Sequence, residues 1–425
     1  MNTDTTNSHH PQHVSFIMPE VNTLNYTMLA YNSVRLYYPT NEIIILDDGS
    51  DDGTLDWLDG VLKIDKNLVV YKNTTGHILG HTILYDLGVK MCKNEVFSIL
   101  HSDMVIGKNY LENMLKHLTP KTVICATRVE PEGIYPPGKE KILKSFGMYH
   151  YDFDLNKFDA FVAEEQLKSK DSTNPGFFAP WVMYKKSFLE IGGHDAVSFS
   201  PYPIEDDDIC YRMRLAGYDL IQSRDSLVFH FISRGHRAWS QNGIKNDHSK
   251  FEFYKNRAIR NFIRKWGTFS QFNEYHYPII PTVYDIGFVV QLNSINFLHA
   301  IEPYASKLYV VDNIPLLDEY IKAEQKTTNI DLSSRIMTDI AEDIAYHSIV
   351  IYFNEVEFMK NVSENFNILS NLRSIIKESE ISIGDTFVLG AFKLVCRNSI
   401  VDMSNTLVKV ENPTIEEFLK LSASR

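Results

Sequence analysis

Residues 43–54 read Ile43-Ile44-Ile45-Leu46-Asp47-Asp48-Gly49-Ser50-Asp51-Asp52-Gly53-Thr54. Four branched apolar residues in a row, without polar alternation, describe a strand covered on both faces, as in a parallel sheet between helix layers. The run stops at two carboxylates and a glycine, where a strand gives way to its loop. Similar runs stand on either side. Residues 14–18 form one, closed by Pro19, and residues 68–71, 96–100 and 122–126 form three more. Helical periodicity fills residues 24–38 and part of 79–92. Repeated strand–helix–strand units imply a parallel sheet with right-handed crossovers, and the fold class is α/β.

Such sheets bind ligands beyond the carboxyl ends of their strands. Asp47 and Asp48 stand at one such end, and Asp103, in His101-Ser102-Asp103-Met104, at another. The three therefore share an edge. Asp47-Asp48-Gly49-Ser50 also reads as a plain turn, since these residues favour turns. The functional reading has an Asp carboxylate accept hydrogen bonds from a nucleotide's base or ribose, while Gly49 lets the backbone approach. Asp103 reads either as an incidental loop acid or as an oxygen ligand for a divalent ion.

Further on, Gly192-Gly193-His194-Asp195 precedes Glu205-Asp206-Asp207-Asp208. Ile209, Met213 and Ala216 follow at helical spacing and Gly217 stands where a left-handed cap belongs, so a short helix begins at the acidic run. A helix N-terminus accommodates one or two carboxylates. Four in a row repel and raise one another's pKa, which is how a general base is prepared. Residues 227–229 then read as a strand ended by His230, followed by Arg234, His236 and Arg237. His230 is a candidate metal ligand, and His236 reads equally as a ligand or a packed core histidine. Imidazole plus carboxylate suits Mn²⁺ better than Mg²⁺. Arg234 and Arg237 suit a diphosphate, or else pair with the acidic block.

A chain of 425 residues exceeds one ordinary core. The expected division is a disordered tail at 1–12, a first domain at 13–270 and a smaller α/β domain at 275–425, so that a chain cut near Asn273 folds. The net charge of -12 argues against a nucleic-acid groove and against anionic membrane surfaces. No apolar run reaches membrane-spanning length. Four cysteines far apart, without metal spacing, read as buried thiols of a reducing, cytoplasmic compartment.

Residues 127–178 form a long irregular segment that reads as functional, with Trp181 after it as a stacking platform or a core residue. Residues 250–266 make a basic amphipathic helix, bearing Arg257, Arg260, Arg264 and Lys265 on a solvated face or toward the acidic domain, that closes the first domain. In the C-terminal part, residues 286–291, 307–312 and 348–353 are strand-like and residues 386–410 resemble a meander. It has no Gly-rich phosphate loop. Acceptor binding, homo-oligomerisation and tethering to another enzyme all stay open for it.

Together, the strand closed by Pro19, the stretch 47–54, Asp103, Gly192-Gly193-His194-Asp195 and the 205–208 block with Arg212 and Gly217 resemble a family 2 glycosyltransferase of the GT-A fold, over residues 14–266. The resemblance implies a nucleotide-diphospho-sugar-transferase-like, mostly parallel sheet flanked by helices. It implies inverting, metal-assisted transfer of a sugar, from a UDP-sugar ahead of a GDP-sugar, to a hydroxyl of a glycan, polysaccharide or other acceptor. Donor contacts would come from Pro19, Glu20, Asp47, Asp48, Ser102, Arg234 and Arg237, and acceptor contacts from Trp181, Gly193 and Asp195. Mn²⁺ (or Mg²⁺) would sit at Asp103, His230 and His236, and Asp206 would be the base, with Glu205 and Asp208 beside it. One departure is plain: the first acid of the family's Asp-x-Asp motif is His101 here. Two rival readings remain. A sugar-phosphate nucleotidyltransferase would want a Gly-rich basic loop where Met18-Pro19-Glu20-Val21-Asn22 stands. A non-catalytic nucleotide-sugar- or glycan-binding protein is favoured by His101 and opposed by the acidic block.

Overall fold

The computed structural model describes residues 13–201, 203–232, 234, 248–311, 315, 317–338 and 342–423. The expected tail at 1–12 lies outside them. The chain divides into two compact units, the first holding residues up to His194, Ile209–Phe251 and Phe272–Pro278, the second Asp195–Asp208, Glu252–Gln271 and Ile279–Arg425.

In the first unit, β1 (Val14–Glu20), β2 (Ile43–Asp47), β3 (Leu68–Lys72) and β4 (Val96–Ile99) lie parallel in the order β3-β2-β1-β4. Helices α1 (Leu24–Tyr37), α2 (Thr54–Val61) and α3 (Gly80–Met91) connect them. Ile43, Ile44, Ile45 and Leu46 are fully buried, as coverage on both faces requires. Pro19 does not close β1. It pairs with Leu46 inside the ladder, and the strand continues one residue to set Glu20 against Asp47. Helix α3 approaches the sheet closely because Gly88 has no side chain; a Cβ there would overlap Ile17.

Beyond β4 the sheet turns mixed. The remaining strands are β5 (Met104–Ile106), β6 (Thr122–Glu130), β7 (Lys141–Leu143), β8 (Thr173–Pro175), β9 (Trp181–Tyr184) and β10 (Asp219–His230). Strand β9 runs antiparallel between β4 and β6, and β10 is parallel to β6 and antiparallel to β5. The expected irregular segment at 127–178 is in fact built: β6 extends to Glu130, and β7, β8 and the 14-residue helix α5 (Leu155–Lys168) follow. Asp154 caps α5 by accepting from Lys157 N at 3.0 Å. Phe158, Phe161 and Val162 pack with Phe146, Val129 and Phe229 in one apolar cluster.

The second unit has its own sheet, from β11 (Ile286–Gln291), β12 (Lys307–Val310), β13 (Ile336–Met337), β14 (Ile349–Asn354), β15 (Thr386–Leu389) and β16 (Phe392–Cys396). The order is β13-β12-β11-β14-β16-β15, parallel through β14 and antiparallel in the closing hairpin. The expected meander at 386–410 ends with that hairpin. Asp402 accepts from Val283 N and Ser404 N, both at 3.0 Å, which folds the chain into a turn instead of a further strand.

The helix His248–Trp266 belongs from Glu252 with this second sheet, not with the domain it was expected to close. Its basic stripe is buried rather than solvated. Arg264 Nη2 lies 2.6 Å from Glu302 Oε2 and 2.7 Å from Glu324 Oε1. Arg260 Nε lies 2.7 Å from Glu324, and Arg257 Nε and Asn261 Nδ2 donate to the Thr327 carbonyl at 2.6 and 2.9 Å. Ile263 packs into a cluster with Phe288, Leu298 and Leu372. A boundary near 270 therefore cuts through the second core. A chain ending at Asn273 keeps Arg264 but loses Glu302 and Glu324, and stripping the partners from a buried charge costs about 3–5 kcal/mol. Such a chain is expected to expose residues 252–266 to protease and to precipitate, as limited proteolysis and light scattering would register; a soluble, protease-resistant product would refute this assignment.

Candidate active site

Strand direction brings the first group of site residues together. At the ends of β1 and β2, Glu20 Oε1 accepts from Ser50 Oγ at 2.8 Å, and Asp47 Oδ1 accepts from Gly49 N at 2.9 Å and Ser50 N at 3.0 Å. Asp47 Oδ2 is buried and meets no donor among the described residues. Burial, and then the adjoining Asp47 carboxyl, push Glu20 well above the usual carboxylate range. Asp48 is placed differently from Asp47. Its carboxylate accepts from Asn73 Nδ2, Leu79 N and Gly80 N at 2.7, 3.0 and 2.9 Å, holding the start of α3. Burial raises Asp48 to about 6 despite those three donors. Ser102 accepts from Thr23 Oγ1 at 3.1 Å, and Thr23 Oγ1 also bonds Glu20, so the loop after β4 is tied to the end of β1.

The second group is the candidate cation-binding one. His101, Asp103 and His230 each offer a ligand atom, and these atoms lie within 4.8 Å of one another. His230 ends β10 and Glu130 ends β6; the parallel register pairs Val129 with Phe229 and so sets the two ends side by side. His230 Nδ1 lies 3.2 Å from Glu130 Oε1, while Nε2 lies 3.5 Å from Asp103 Oδ1. Because a carboxylate only accepts, Nδ1 carries the proton and Nε2 is left facing Asp103, as in a carboxylate–histidine–metal arrangement. Burial alone would raise Glu130, but the His230 hydrogen bond and the charges of Arg128 and Lys141 bring it down to about 2. The donor set, two imidazoles and a carboxylate, fits Mn²⁺ or another transition ion better than Mg²⁺. His101, the departure from an acid-x-acid pair, is thus one of the three candidate ligands.

Arg234 donates its backbone N–H to Asp103 Oδ2 at 3.0 Å, and its Nη2 donates to the Met148 carbonyl at 2.5 Å. Its guanidinium lies over the ring of Tyr149, 4.9 Å from the centroid. His236 and Arg237 lie outside the described residues. Trp181 is not a sugar platform. It is 0% exposed, mid-sheet on β9, with its ring against Phe97, Phe177 and Phe188. Gly193, at φ +73°, is a glycine because a Cβ would run into the Asp86 carboxylate, and its carbonyl accepts from Arg212 Nη2 at 2.6 Å. The same Asp86 accepts from His194 N at 3.1 Å and lies 2.8 Å from its Nδ1. Nothing in the sequence pairs Asp86 with His194, since 108 residues separate them.

The acidic run opens helix α8 (Glu205–Leu215), which ends as expected at left-handed Gly217, and the division between the units falls between Asp208 and Ile209. The four acids differ. Asp208 is fully buried, 2.8 Å from Lys265 Nζ, and accepts from Trp266 Nε1 at 2.9 Å. Asp195 caps the short helix α7 (Ala196–Phe199) and also pairs with Lys265, at 2.8 Å. Burial raises Asp207 to about 6, with the neighbouring Asp206 and Asp208 charges adding and a Ser270 hydrogen bond opposing. Burial and the Asp206 charge raise Glu205 to about 8. Asp206 is half-buried.

A largely parallel sheet thus carries His101, Asp103 and His230 beyond its strand ends. Residues 15–190 match the model of Glycosyl transferase family 2, and no family model matches the C-terminal unit. No curated protein matches the chain. Among solved structures, GalNAc-T7 with UDP, GalNAc and Mn²⁺ is similar at 16% identity and TM-score 0.40, over 60% of this chain and 51% of that one. S. aureus TarS 1-349 is similar at 15% identity and TM-score 0.37, over 59% and 71%. The mannosyltransferase PcManGT from Pyrobaculum calidifontis, in complex with GDP-Man and Mn²⁺, is similar at 15% identity and TM-score 0.40, over 61% and 64%. The chain thus spans about half the length of the first of these. Among the described residues no helix is long and apolar enough to cross a membrane. All four cysteines are buried and none forms a disulfide.

Glu205 makes stability pH-dependent in a stated direction. The folded protein keeps its proton to about pH 8, whereas the ordinary value is 4.5. Folded protein therefore binds more protons than unfolded between those values, and stability falls as pH rises through that window, by at most about 1.4 kcal/mol per pH unit. Glu205→Gln abolishes that slope. The melting temperature of the variant relative to wild type is expected to climb steadily from pH 5 to pH 8, and a flat difference would show that Glu205 ionises normally.

Proposed function

We propose that the protein is an inverting, metal-assisted glycosyltransferase that moves a sugar from a nucleoside-diphosphate donor to a hydroxyl of a glycan or related acceptor. The observation that carries this reading is the meeting of His101, Asp103 and His230 beyond the strand ends of a family 2 domain. These three residues would hold the cation, Mn²⁺ ahead of Mg²⁺. When bound, it supplies Lewis-acid stabilisation of the departing diphosphate. The rest falls to the chain. Glu130 keeps the His230 proton on Nδ1, so that Nε2 stays a ligand. Asp47, next to the buried Glu20, serves the nucleoside, with a UDP-sugar the favoured donor.

Asp206 accepts the proton of the acceptor hydroxyl as general base. The hydroxyl oxygen bonds to the anomeric carbon from the side opposite the diphosphate, the bond to the diphosphate oxygen breaks, and configuration inverts. Glu205, protonated at neutral pH, adds no second charge beside Asp206. Asp208, fixed by Lys265 and Trp266, holds the turn rather than the proton.

A panel of UDP- and GDP-sugars, assayed with and without Mn²⁺, tests the reading. Release of nucleoside diphosphate that depends on Mn²⁺ and is lost in Asp103→Asn is expected. Asp206→Asn is expected to lower transfer about 10²- to 10⁴-fold while nucleotide still binds. Full activity in that variant removes Asp206 from the mechanism. Pyrophosphate release would mark a nucleotidyltransferase, and binding without turnover a non-catalytic protein.

A further inference from the structure

The turn at residues 146–154 holds two large aromatic side chains outward beside the metal-ligating edge. Its ends are anchored: Phe146 packs against Phe158 and Phe229, and Phe153 against Phe229 and Phe231. Asp154 N donates to the Phe146 carbonyl at 2.7 Å, closing the loop. Inside it, Tyr149 N donates to Asp152 Oδ1 at 2.7 Å and Asp152 N to the Tyr149 carbonyl at 3.3 Å. Gly147, at φ +137°, allows the tight crossing, since a Cβ would stand 2.7 Å from the Asp152 carbonyl oxygen. On this frame Tyr149 is 44% exposed and Tyr151 72% exposed, and their rings lie 5.2 Å apart and within 9° of parallel. Arg234 joins the turn to the site, because its side chain bonds the Met148 carbonyl and covers Tyr149 while its backbone N–H bonds Asp103. The aromatic pair is thus one arginine's length from a candidate metal ligand.

We propose that Tyr151, backed by the Tyr149 ring stacked against it, forms the ledge on which a pyranose ring of the acceptor stacks; this rests on the transferase reading. One face of a pyranose is a sheet of C–H bonds, weakly positive, and it matches the negative face of a tyrosine ring. A turn already locked by hydrogen bonds presents such rings with little ordering left to lose on binding. Trp181, the aromatic that sequence singled out for this task, is buried, whereas the ledge is open and adjoins the edge where the reaction is placed.

The test is saturation-transfer NMR on the full chain with the methyl pyranosides of glucose, galactose and mannose at millimolar concentration, with sorbitol as the open-chain control. Ring C–H signals of at least one pyranoside are expected to receive saturation, while sorbitol receives none. Tyr151→Ala is expected to weaken that contact about five- to tenfold, and Tyr151→Phe, which keeps the ring, to retain it. Silent pyranosides, equal transfer to sorbitol, or an unaltered contact in Tyr151→Ala would overturn the ledge. Adding a UDP- or GDP-sugar with Mn²⁺ is expected to leave the contact in place; displacement would give the ledge to the donor's sugar and overturn the acceptor assignment. Donor hydrolysis by the wild type is read separately, so failure of the transferase reading and failure of the ledge appear as different results.

Discussion

Parallel strand pairing is the constraint on which the rest depends. Strands that run the same way end on the same side, so the residue following each apolar run is delivered to one edge. The pairing of β1 with β2 sets Glu20 against Asp47. The parallel pairing of β6 with β10 brings Glu130 and His230 together across 100 residues of sequence. Asp103 arrives by another route. Strand β5 runs antiparallel to β10 with Met104 opposite His230, and the Asp103 carbonyl accepts from Phe231 N at 3.0 Å.

Acids crowded in poorly solvated places repel one another, and each unit answers that by itself. Burial raises Glu20 in the first unit and Glu205 in the second. Glu130 is ringed by Arg128, Lys141 and His230 and stays ionised. Asp208 is neutralised by Lys265 and tied to the Trp266 indole. Charge is thus suppressed or matched where it has no chemical task. Asp206 is half-buried among neighbours of which one is raised and another paired, a setting that suits the role of base proposed for it.

Most of the first sheet was legible because a buried parallel strand writes itself as an unbroken apolar run, as Ile43, Ile44, Ile45 and Leu46 do. Its edge was legible for the same reason, since Asp47, Asp103 and His230 each follow such a run. What stayed hidden depends on partners distant in the chain. His101 reads as a missing acid until His230 is beside it. Glu130 lay past the expected end of its strand. Trp181 closes an aromatic, proline-bearing stretch that reads as a loop in sequence, and it is a core residue in space. The basic helix was half legible: Lys265 does meet the acidic run at Asp208, but the arginines pair with Glu302 and Glu324, far along the chain.

That helix also bears on inheritance. The second unit draws on Asp195–Asp208, Glu252–Gln271 and Ile279–Arg425, with pieces of the first unit between them. No single crossover in the gene can carry one unit away whole. A recombinant taking the second sheet alone would arrive without Arg264, whose partner Glu302 lies 38 residues further along the chain. The second unit must therefore be inherited with all its separated stretches, and a change at either end of that ion pair would have to be answered at the other.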